Sequence, residues 1–143
     1  MLHLDAMNSL GYLYVVGEGF EKNYTKAFEY FQKAAKLRNI DAIINLALCY
    51  ENGNGVEKNY TKAIEYYEQM ASQGFVHAIN YLGICYEEGK IVERNYTKAI
   101  QYYEQAAKLG YPNSIYCLGL VYEYGKGVNV DINKAIEYYQ MAA

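Results

Sequence analysis

The stretch that recurs along this chain reads LGICYEEGKIVERNYTKAIQYYEQAA over residues 82–107. Self-similarity at a fixed period of roughly 20 to 50 residues is typical of stacked structural repeats. Here the spacing is 36 residues, so residues 1–143, taken as one repeat domain, divide into repeats 5–40, 41–76, 77–112 and 113–143. The recurring positions are Leu10, Leu46, Leu82 and Leu118; Tyr14, Tyr50, Tyr86 and Tyr122; Gly17, Gly53, Gly89 and Gly125; and Lys26, Lys62, Lys98 and Lys134.

Each repeat is predicted to contain two helices joined by a turn. In the second repeat, Leu46, Cys49 and Gly53 recur at steps of three and four, which places them on one helical face. Glycine just past a helix accepts the left-handed conformation that closes it, so Gly53 predicts the helix end. Asn59 predicts the start of a second helix, because its side-chain oxygen can accept from exposed first-turn amides. The four copies therefore predict an all-α fold of eight helices.

Two positions depart from the glycine pattern. Gly74 and Gly110 follow the second helices of repeats two and three, whereas repeat one has Arg38, for which we expect a different helix ending. In the turn inside each repeat, Ile91 of repeat three replaces a glycine, and a β-branched residue resists positive φ. We therefore expect either negative φ at this position in every repeat or a rearranged turn at Ile91. The matching glycines are Gly19, Gly55 and Gly127.

Small residues and tyrosines are predicted to pack the helices together. A two-helix repeat cannot bury its apolar face alone, so neighbouring repeats must stack. The 19 tyrosines can fill the remaining volume with their rings and place their hydroxyls at the solvent-exposed edge, where they can form hydrogen bonds. One position of each first helix has a small residue, which allows the second helix to approach closely. These residues are Gly11, Ala47, Gly83 and Gly119.

The pattern Leu-Gly-x-x-Tyr-x-x-Gly, followed by Asn-x-x-Lys-Ala-x-x-Tyr-Tyr-x-x-Ala-Ala, resembles the Sel1-like repeat family, a branch of the tetratricopeptide-like helical repeats. The resemblance covers all four repeats and implies a right-handed α-solenoid, a superhelix of helix pairs that serves as an adaptor scaffold. Family members act in assembling protein complexes, in protein quality control and in contacts between bacteria and hosts. The fold itself carries no chemistry, so function must be argued from surface positions.

The helix-capping position differs from the family pattern. The family usually has aspartate where this chain has Asn23, Asn59 and Asn95, and only Asp131 keeps it. Both residue types cap helices, so we expect the fold to be unaffected. The three asparagines also begin Asn-Tyr-Thr, which matches the acceptor pattern for glycosylation. We favour capping as the interpretation, and glycosylation would matter in a lumenal protein.

A partner-binding groove is predicted on the first helices, which line the concave face in related solenoids. An apolar lane with an acidic margin suits a protein or peptide that carries basic and apolar residues. Alternatively, the lane is core between successive first helices, because apolar residues at helical spacing are usually buried. The apolar lane is Tyr12, Leu48, Ile84 and Leu120; the acidic margin is Glu51, Glu87 and Glu123, with Glu88 as an extra acid; and a second row is Asn8, Ile44, Asn80 and Tyr116.

Composition argues against several classes of partner and location. Lys and Arg total 13 against 16 Asp and Glu, without a basic run, so no nucleic-acid partner is predicted. We predict no membrane span, since no stretch approaches ~18 consecutive apolar residues, and no signal peptide. Three sparse cysteines, Cys49, Cys85 and Cys117, suit core positions in a reducing compartment. We therefore expect a cytoplasmic location, with a secreted or lumenal one open if the chain is a fragment.

No catalytic constellation is visible in the sequence. His77 and Cys85 share a helical face, but eight residues separate them by about 12 Å at about 1.5 Å per residue. Hydrogen-bond reach, which a catalytic pair needs, is far shorter. The only other histidine is His3, and zinc takes three or four ligands. We predict no enzyme activity, no cofactor and no metal.

The leading hypothesis is a non-catalytic protein- or peptide-binding adaptor, and the alternative is a structural or self-assembling segment of a longer repeat array. Residues 135–143 look like an internal second helix with no capping helix after them, and they include Tyr139 and Met141. At the other end, Leu2 and Leu4 precede the first repeat. Uncovered apolar end surfaces would favour end-to-end self-association.

Overall fold

The computed structural model describes residues 3–17 and 21–143, so Leu2 and Gly19 lie outside it. The described residues form eight α-helices and no strand, which confirms the prediction of an all-α array of helix–turn–helix repeats. The chain divides into two compact halves, Met1–Met70 and Ala71–Ala143. The helices are α1 (Leu4–Val16), α2 (Tyr24–Lys36), α3 (Ile40–Asn52), α4 (Tyr60–Ser72), α5 (Val76–Glu88), α6 (Tyr96–Lys108), α7 (Pro112–Tyr124) and α8 (Ile132–Ala142).

The predicted caps begin all four second helices. The Asn95 Oδ1 atom accepts from the backbone N–H of Lys98 at 3.0 Å, which satisfies an exposed first-turn donor. The backbone N–H of Asn95 also donates to the Tyr86 carbonyl at 2.9 Å, which ties the turn to the first helix. The same side-chain bond, also at 3.0 Å, is made by Asn23 to Lys26, Asn59 to Lys62 and Asp131 to Lys134.

Glycine ends every first helix, as the sequence predicts. Gly53 has φ +73° and Gly89 has φ +67°, both in the left-handed region, where glycine carries no Cβ penalty. Their backbone N–H groups donate to the carbonyls of Cys49 and Cys85. Gly17 and Gly125 close α1 and α7 in the same way.

Both predictions for the departing positions are wrong. Ile91 has φ +60°, close to +73° at Gly55 and +72° at Gly127, so repeat three keeps the glycine-type turn despite the β-branched residue. Arg38 likewise has φ +65°, and its N–H donates to the Ala35 carbonyl at 2.9 Å. Repeat one therefore closes its second helix as the glycine-containing repeats do. The surrounding backbone hydrogen bonds impose the left-handed conformation, which costs a non-glycine residue about 1–2 kcal/mol.

A small residue on the first helix faces an aromatic ring on the second. In the N-terminal half, a Cβ on Gly11 would lie 2.5 Å from Phe31 Cε1. In the C-terminal half, a Cβ on Gly83 would lie 2.6 Å from Tyr103 Cε1, and Gly119 meets Tyr139 in the same way. Real Cβ atoms do not approach so closely, so glycine is what allows each helix pair to close.

Each half has its own buried side chains. The N-terminal half buries Phe31, Ile43 and Leu46, and the C-terminal half buries Tyr103, Leu118 and Val121. All three cysteines are free thiols; Cys49 and Cys85 are buried, and Cys117 is half-buried. Burial raises the pKa of the Cys49 thiol to about 11, since the charged thiolate is disfavoured away from water. Cys49 and Cys85 thus lie in the core, as predicted, and Cys117 lies at its edge.

Candidate protein-interaction surface

The four residues of the apolar lane differ in exposure. In the N-terminal half, Tyr12 is 58% exposed and Leu48 is 41% exposed, although both are large apolar side chains on first helices. In the C-terminal half, Ile84 and Leu120 are half-buried. Ile84 packs against a cluster that contains Tyr86 and Tyr103. Tyr12 and Leu48 are therefore exposed to solvent, while Ile84 contributes partly to the core.

The second row is divided between helix contacts and open surface. Asn80 is buried and accepts from the Ser114 Oγ at 2.7 Å, a bond that joins α5 to α7. Asn8 is half-buried and accepts from the Asn45 Nδ2 at 2.9 Å, joining α1 to α3. These amides hold helices together. Ile44 is half-buried, and Tyr116 is exposed over 52% of its surface.

Each glutamate of the acidic margin accepts a hydrogen bond from a tyrosine on the second helix of its own repeat. Tyr67 donates through its hydroxyl to Glu51 Oε2 at 3.0 Å, and only 7% of Glu51 is exposed. The Tyr103 hydroxyl donates to Glu87 Oε2 at 2.5 Å. Tyr139 donates to Glu123 in the same manner. The margin therefore belongs largely to the helix–helix contact, and Glu51 is closed to solvent.

A lysine completes the network around Glu87. Lys126, in the turn after α7, forms a salt bridge with Glu87 of the preceding repeat. The hydrogen bond to Glu87 raises the pKa of Lys126, and burial followed by the bond to Glu87 raises the pKa of Tyr103. Glu87 thus accepts from a phenol and an ammonium at once, and hydrogen bonds in which one partner is charged are stronger than those between neutral groups.

A hollow of about 480 Å³ brings together three of the predicted site residues. Tyr116, Leu120 and Glu123 line it from α7, and Tyr139 lines it from α8. The rings of Tyr116 and Tyr139 lie 5.6 Å apart at an angle of 38°. Tyr124, which is not among the site residues predicted from the sequence, also lines the hollow and is 63% exposed. Ala142 and Ala143 also line the hollow, which presents aromatic surface and the Glu123 carboxylate.

The Sel1 repeat matches this chain four times, over residues 4–39, 40–75, 76–111 and 112–143. The chain belongs to the Sel1 repeat family. Each matched repeat begins one residue before the repeat assigned from the sequence. Sel1 repeat proteins are typically scaffolds for protein interaction, and the family is generally non-catalytic.

Several solved structures are similar to this chain, and two of them are described as Sel1 repeat or SLR proteins. A Sel1 repeat protein from Oxalobacter formigenes is 35% identical, with a TM-score of 0.82 over 98% of this chain and 57% of that one. A protective antigen present in uropathogenic Escherichia coli strains, which displays an SLR fold, is 32% identical, with a TM-score of 0.84 over 98% and 30%. The Helicobacter pylori cysteine rich protein B is 26% identical, with a TM-score of 0.56 over 79% and 95%.

This chain therefore spans somewhat more than half of the first of these proteins and less than a third of the second. A comparison with curated protein sequences gives no significant match.

Each Sel1 repeat also carries a recurring lysine and two tyrosines, of which only the tyrosines were predicted from the sequence to have a packing role. In repeat four, Tyr122 and Tyr138 stack at 5.7 Å with an interplanar angle of 12°, and the Lys134 ammonium lies 4.3 Å from the Tyr122 ring centre. The stacked rings and the cation–π contact support the pairing of first and second helices. The same stacking occurs in Tyr14–Tyr30, Tyr50–Tyr66 and Tyr86–Tyr102, beneath Lys26, Lys62 and Lys98. The sequence feature that indicates these contacts is the recurrence of the same lysine and tyrosines every 36 residues.

His77 and Cys85 have separate surroundings. The exposed His77 Nδ1 lies 3.1 Å from the Tyr111 hydroxyl, whereas Cys85 is fully buried. In the described segments, no three His, Cys, Asp or Glu side chains are grouped to hold a metal ion. None of the helices described has the length and hydropathy that a bilayer crossing requires.

Proposed function

We propose that this chain is a non-catalytic adaptor that binds a protein or peptide along its first helices. The proposal rests on the exposure of Tyr12, Leu48 and Tyr116, large apolar or aromatic side chains at first-helix positions that the packing of this chain does not use fully. Tyrosine is among the residue types that are enriched at the few positions supplying most of the binding energy in protein interfaces. The family's typical role as an interaction scaffold supports the same function.

The partner is proposed to carry apolar and basic residues. In the N-terminal half, apolar groups of a partner would meet Tyr12 and Leu48. In the C-terminal half, taken by itself, the exposed Glu88 and the half-buried Glu123 would attract positive charge. Glu51 and Glu87 contribute less to this attraction, because the first is buried and the second is bonded to Lys126. The acidic contribution is therefore concentrated on fewer residues than the sequence pattern indicates.

Selection of random peptides displayed on phage, followed by affinity measurement on the enriched peptides, tests the function. We expect enrichment of sequences that combine basic and apolar residues. The double variant Tyr12→Ser, Leu48→Ser should bind them at least about tenfold more weakly, since each lost apolar contact is worth roughly 1 kcal/mol or more.

The matched control is the double variant Leu37→Ser, Leu109→Ser. Leu37 is 52% exposed and Leu109 is 57% exposed, but both follow second helices rather than lying on first helices. The control should bind as the unmodified chain does. Absence of any enriched peptide, or equal loss in control and test variants, would count against the adaptor function.

Self-assembly is the second candidate, and exposed apolar side chains on α8 favour it. Ile132 is 53% exposed, Ile136 is 47% exposed and Met141 is 64% exposed. Ile132 and Ile136 are four residues apart and share a helical face, and exposed apolar surface of this kind often marks an association site. Sedimentation velocity over a hundredfold range of protein concentration would show a rising sedimentation coefficient if copies associate, and Met141→Gln should reduce the increase.

A further inference from the structure

A second hollow, within the N-terminal half, is lined by residues of the second helices α2 and α4 and of α3, and we call it the α2–α4 hollow. Its volume is about 180 Å³, below the roughly 300–1,000 Å³ of a typical small-molecule site, so it suits one side chain. Ile43 and Leu46, only 3% and 2% exposed, form its apolar floor. The other lining residues are Gln32, Ala35, Lys36, Tyr66 and Gln69.

An equivalent hollow, the α6–α8 hollow, occurs in the C-terminal half. Its lining residues occupy the same repeat positions 72 residues later, which is two repeat lengths. Lys108 corresponds to Lys36 and Tyr138 to Tyr66. A hollow that forms twice from equivalent residues is a property of the repeat itself.

The two hollows differ in charge. Gln32 of the α2–α4 hollow is replaced by Glu104 in the α6–α8 hollow. Glu104 lies four residues before Lys108 and is therefore its neighbour on the helix surface, where the two charges offset each other. None of the described residues that line the α2–α4 hollow is acidic, so Lys36 gives its rim a positive charge.

Further cations flank the α2–α4 hollow. Residues 30–40 include Lys33, Lys36 and Arg38, all exposed, and contain no Asp or Glu. Lys33 lies 5.5 Å from the Tyr30 ring centre, and within the part of the chain that the structure describes neither Lys36 nor Arg38 forms a salt bridge. Positive charge around an apolar depression is complementary to a partner that has carboxylates beside an apolar side chain.

We propose that the α2–α4 hollow is a docking site for a partner peptide in which an aliphatic side chain lies between carboxylates. The aliphatic group would enter the hollow above Ile43 and Leu46, and a carboxylate would meet Lys36. Neither Tyr12 nor Leu48 of the proposed adaptor surface lines this hollow, and its charge preference is the opposite one. The chain would thus recognise partners of opposite charge at two separate surfaces.

The probe is acetyl-Glu-Leu-Glu-amide, compared with acetyl-Gln-Leu-Gln-amide, which keeps the leucine without the charges. Two-dimensional NMR of the unmodified chain should show shifts concentrated at Ala35, Ile43 and Tyr66 with the acidic peptide. Lys36→Gln should weaken this binding about two- to fivefold, as expected for loss of an exposed ion pair. Gln32→Glu, which introduces the acid of the α6–α8 hollow, should also weaken it, because the new carboxylate repels those of the peptide.

The matched controls are Lys22→Gln and Gln101→Glu, which make the same charge changes on exposed residues outside both hollows. Both should bind the acidic peptide as the unmodified chain does. The double variant Tyr12→Ser, Leu48→Ser should also bind it unchanged, because these residues belong to the other surface. The adaptor function and this docking site can therefore fail independently of each other.

Equal shifts with the neutral peptide, equal affinities of Lys36→Gln and Lys22→Gln, or shifts centred elsewhere would overturn the docking site. The other source of negative charge is an anionic membrane, and co-sedimentation with vesicles of phosphatidylserine and phosphatidylcholine in equal parts tests it. Vesicle binding that Lys36→Gln weakens, in a chain that does not bind the acidic peptide, would assign the surface to a membrane and overturn the peptide site.

Discussion

The first and third Sel1 repeats, residues 4–39 and 76–111, make the same helix–helix contact with different chemistry. In both, a glycine on the first helix lies against an aromatic ring on the second, Gly11 against Phe31 and Gly83 against Tyr103. In repeat three the ring carries a hydroxyl that donates to Glu87. In repeat one the ring has no hydroxyl, and the position equivalent to Glu87 is Val15.

The difference shows which part of the contact the fold requires. The close approach of glycine to an aromatic ring is common to both repeats, so it is set by packing. The hydroxyl and the carboxylate are present together or absent together, because either one alone would leave a polar group in the core without its partner. A tyrosine–glutamate pair and a phenylalanine–valine pair are therefore alternative solutions for one position in the repeat.

The largest expected effect comes from breaking the shared feature. Gly83→Val would place side-chain atoms inside the space of the Tyr103 ring and should lower the free energy of unfolding by about 3 kcal/mol. Gly11→Val should cost a similar amount against Phe31. Urea denaturation followed by circular dichroism measures both.

Gln101→Val, on the exposed surface of α6, is the control for this substitution, and it should change stability by less than about 0.5 kcal/mol. If Gly83→Val unfolds at the same urea concentration as the control, the glycine–aromatic contact does not set the helix spacing.

The second prediction converts repeat one to the chemistry of repeat three. Phe31→Tyr would add a hydroxyl to a ring that is only 2% exposed, with valine where repeat three has its acceptor. We expect a loss of about 2 kcal/mol for the unpaired hydroxyl. The double variant Phe31→Tyr, Val15→Glu should recover at least half of that loss. A double variant no more stable than Phe31→Tyr alone would show that the two positions are not coupled.

The sequence predicted the eight helices well because each boundary has a local cause, such as Gly53 or Asn59, and the spacing repeats it four times. It failed at Ile91 and Arg38, where a conformation unfavourable to the individual residue is imposed by neighbouring hydrogen bonds. Local preference is a weak guide when the flanking helices fix the turn.

The candidate site was predicted less completely. Periodicity identifies the helical positions of Glu51 and Glu87, but it does not show which tyrosine on the second helix donates a hydrogen bond to each carboxylate. These hydrogen bonds decide whether the carboxylates are available to a partner. The contact between Lys126 and Glu87 joins different repeats, so a spacing measured within one repeat does not reveal it. The repeat pattern gives no separate signal for Tyr124, which lies one residue after Glu123 of the acidic margin.

The third prediction separates the two bonds that Glu87 accepts. Glu87→Gln removes the charge but keeps an oxygen for Tyr103, so it should cost about 1 kcal/mol, chiefly from the weakened Lys126 contact at a partly exposed site. Glu88→Gln, the same change on the exposed neighbour, should cost less than about 0.5 kcal/mol.

A double-mutant cycle with Lys126→Gln isolates the pair, and we expect a coupling of about 0.5–1 kcal/mol that shrinks at high salt. Coupling near zero at low salt would mean that the ion pair contributes nothing to the stability of repeat three.

The smallest expected effect concerns the ends of the second helices in the same two repeats. Arg38 and Gly110 both have positive φ, +65° and +78°, but only arginine incurs the steric cost of a Cβ in that conformation. Arg38→Gly should therefore stabilise the chain by about 0.5–1 kcal/mol, after the greater freedom of glycine in the unfolded state is subtracted. Gly110→Arg should destabilise it by a similar amount, because a Cβ there meets no atom within 4 Å and the cost is conformational alone. Thermal unfolding by calorimetry measures both changes. If Arg38→Gly and Gly110→Arg shift the melting temperature in the same direction, backbone strain does not distinguish repeat one from repeat three at this position. Side-chain contacts of Arg38 must then offset the steric cost of its positive φ.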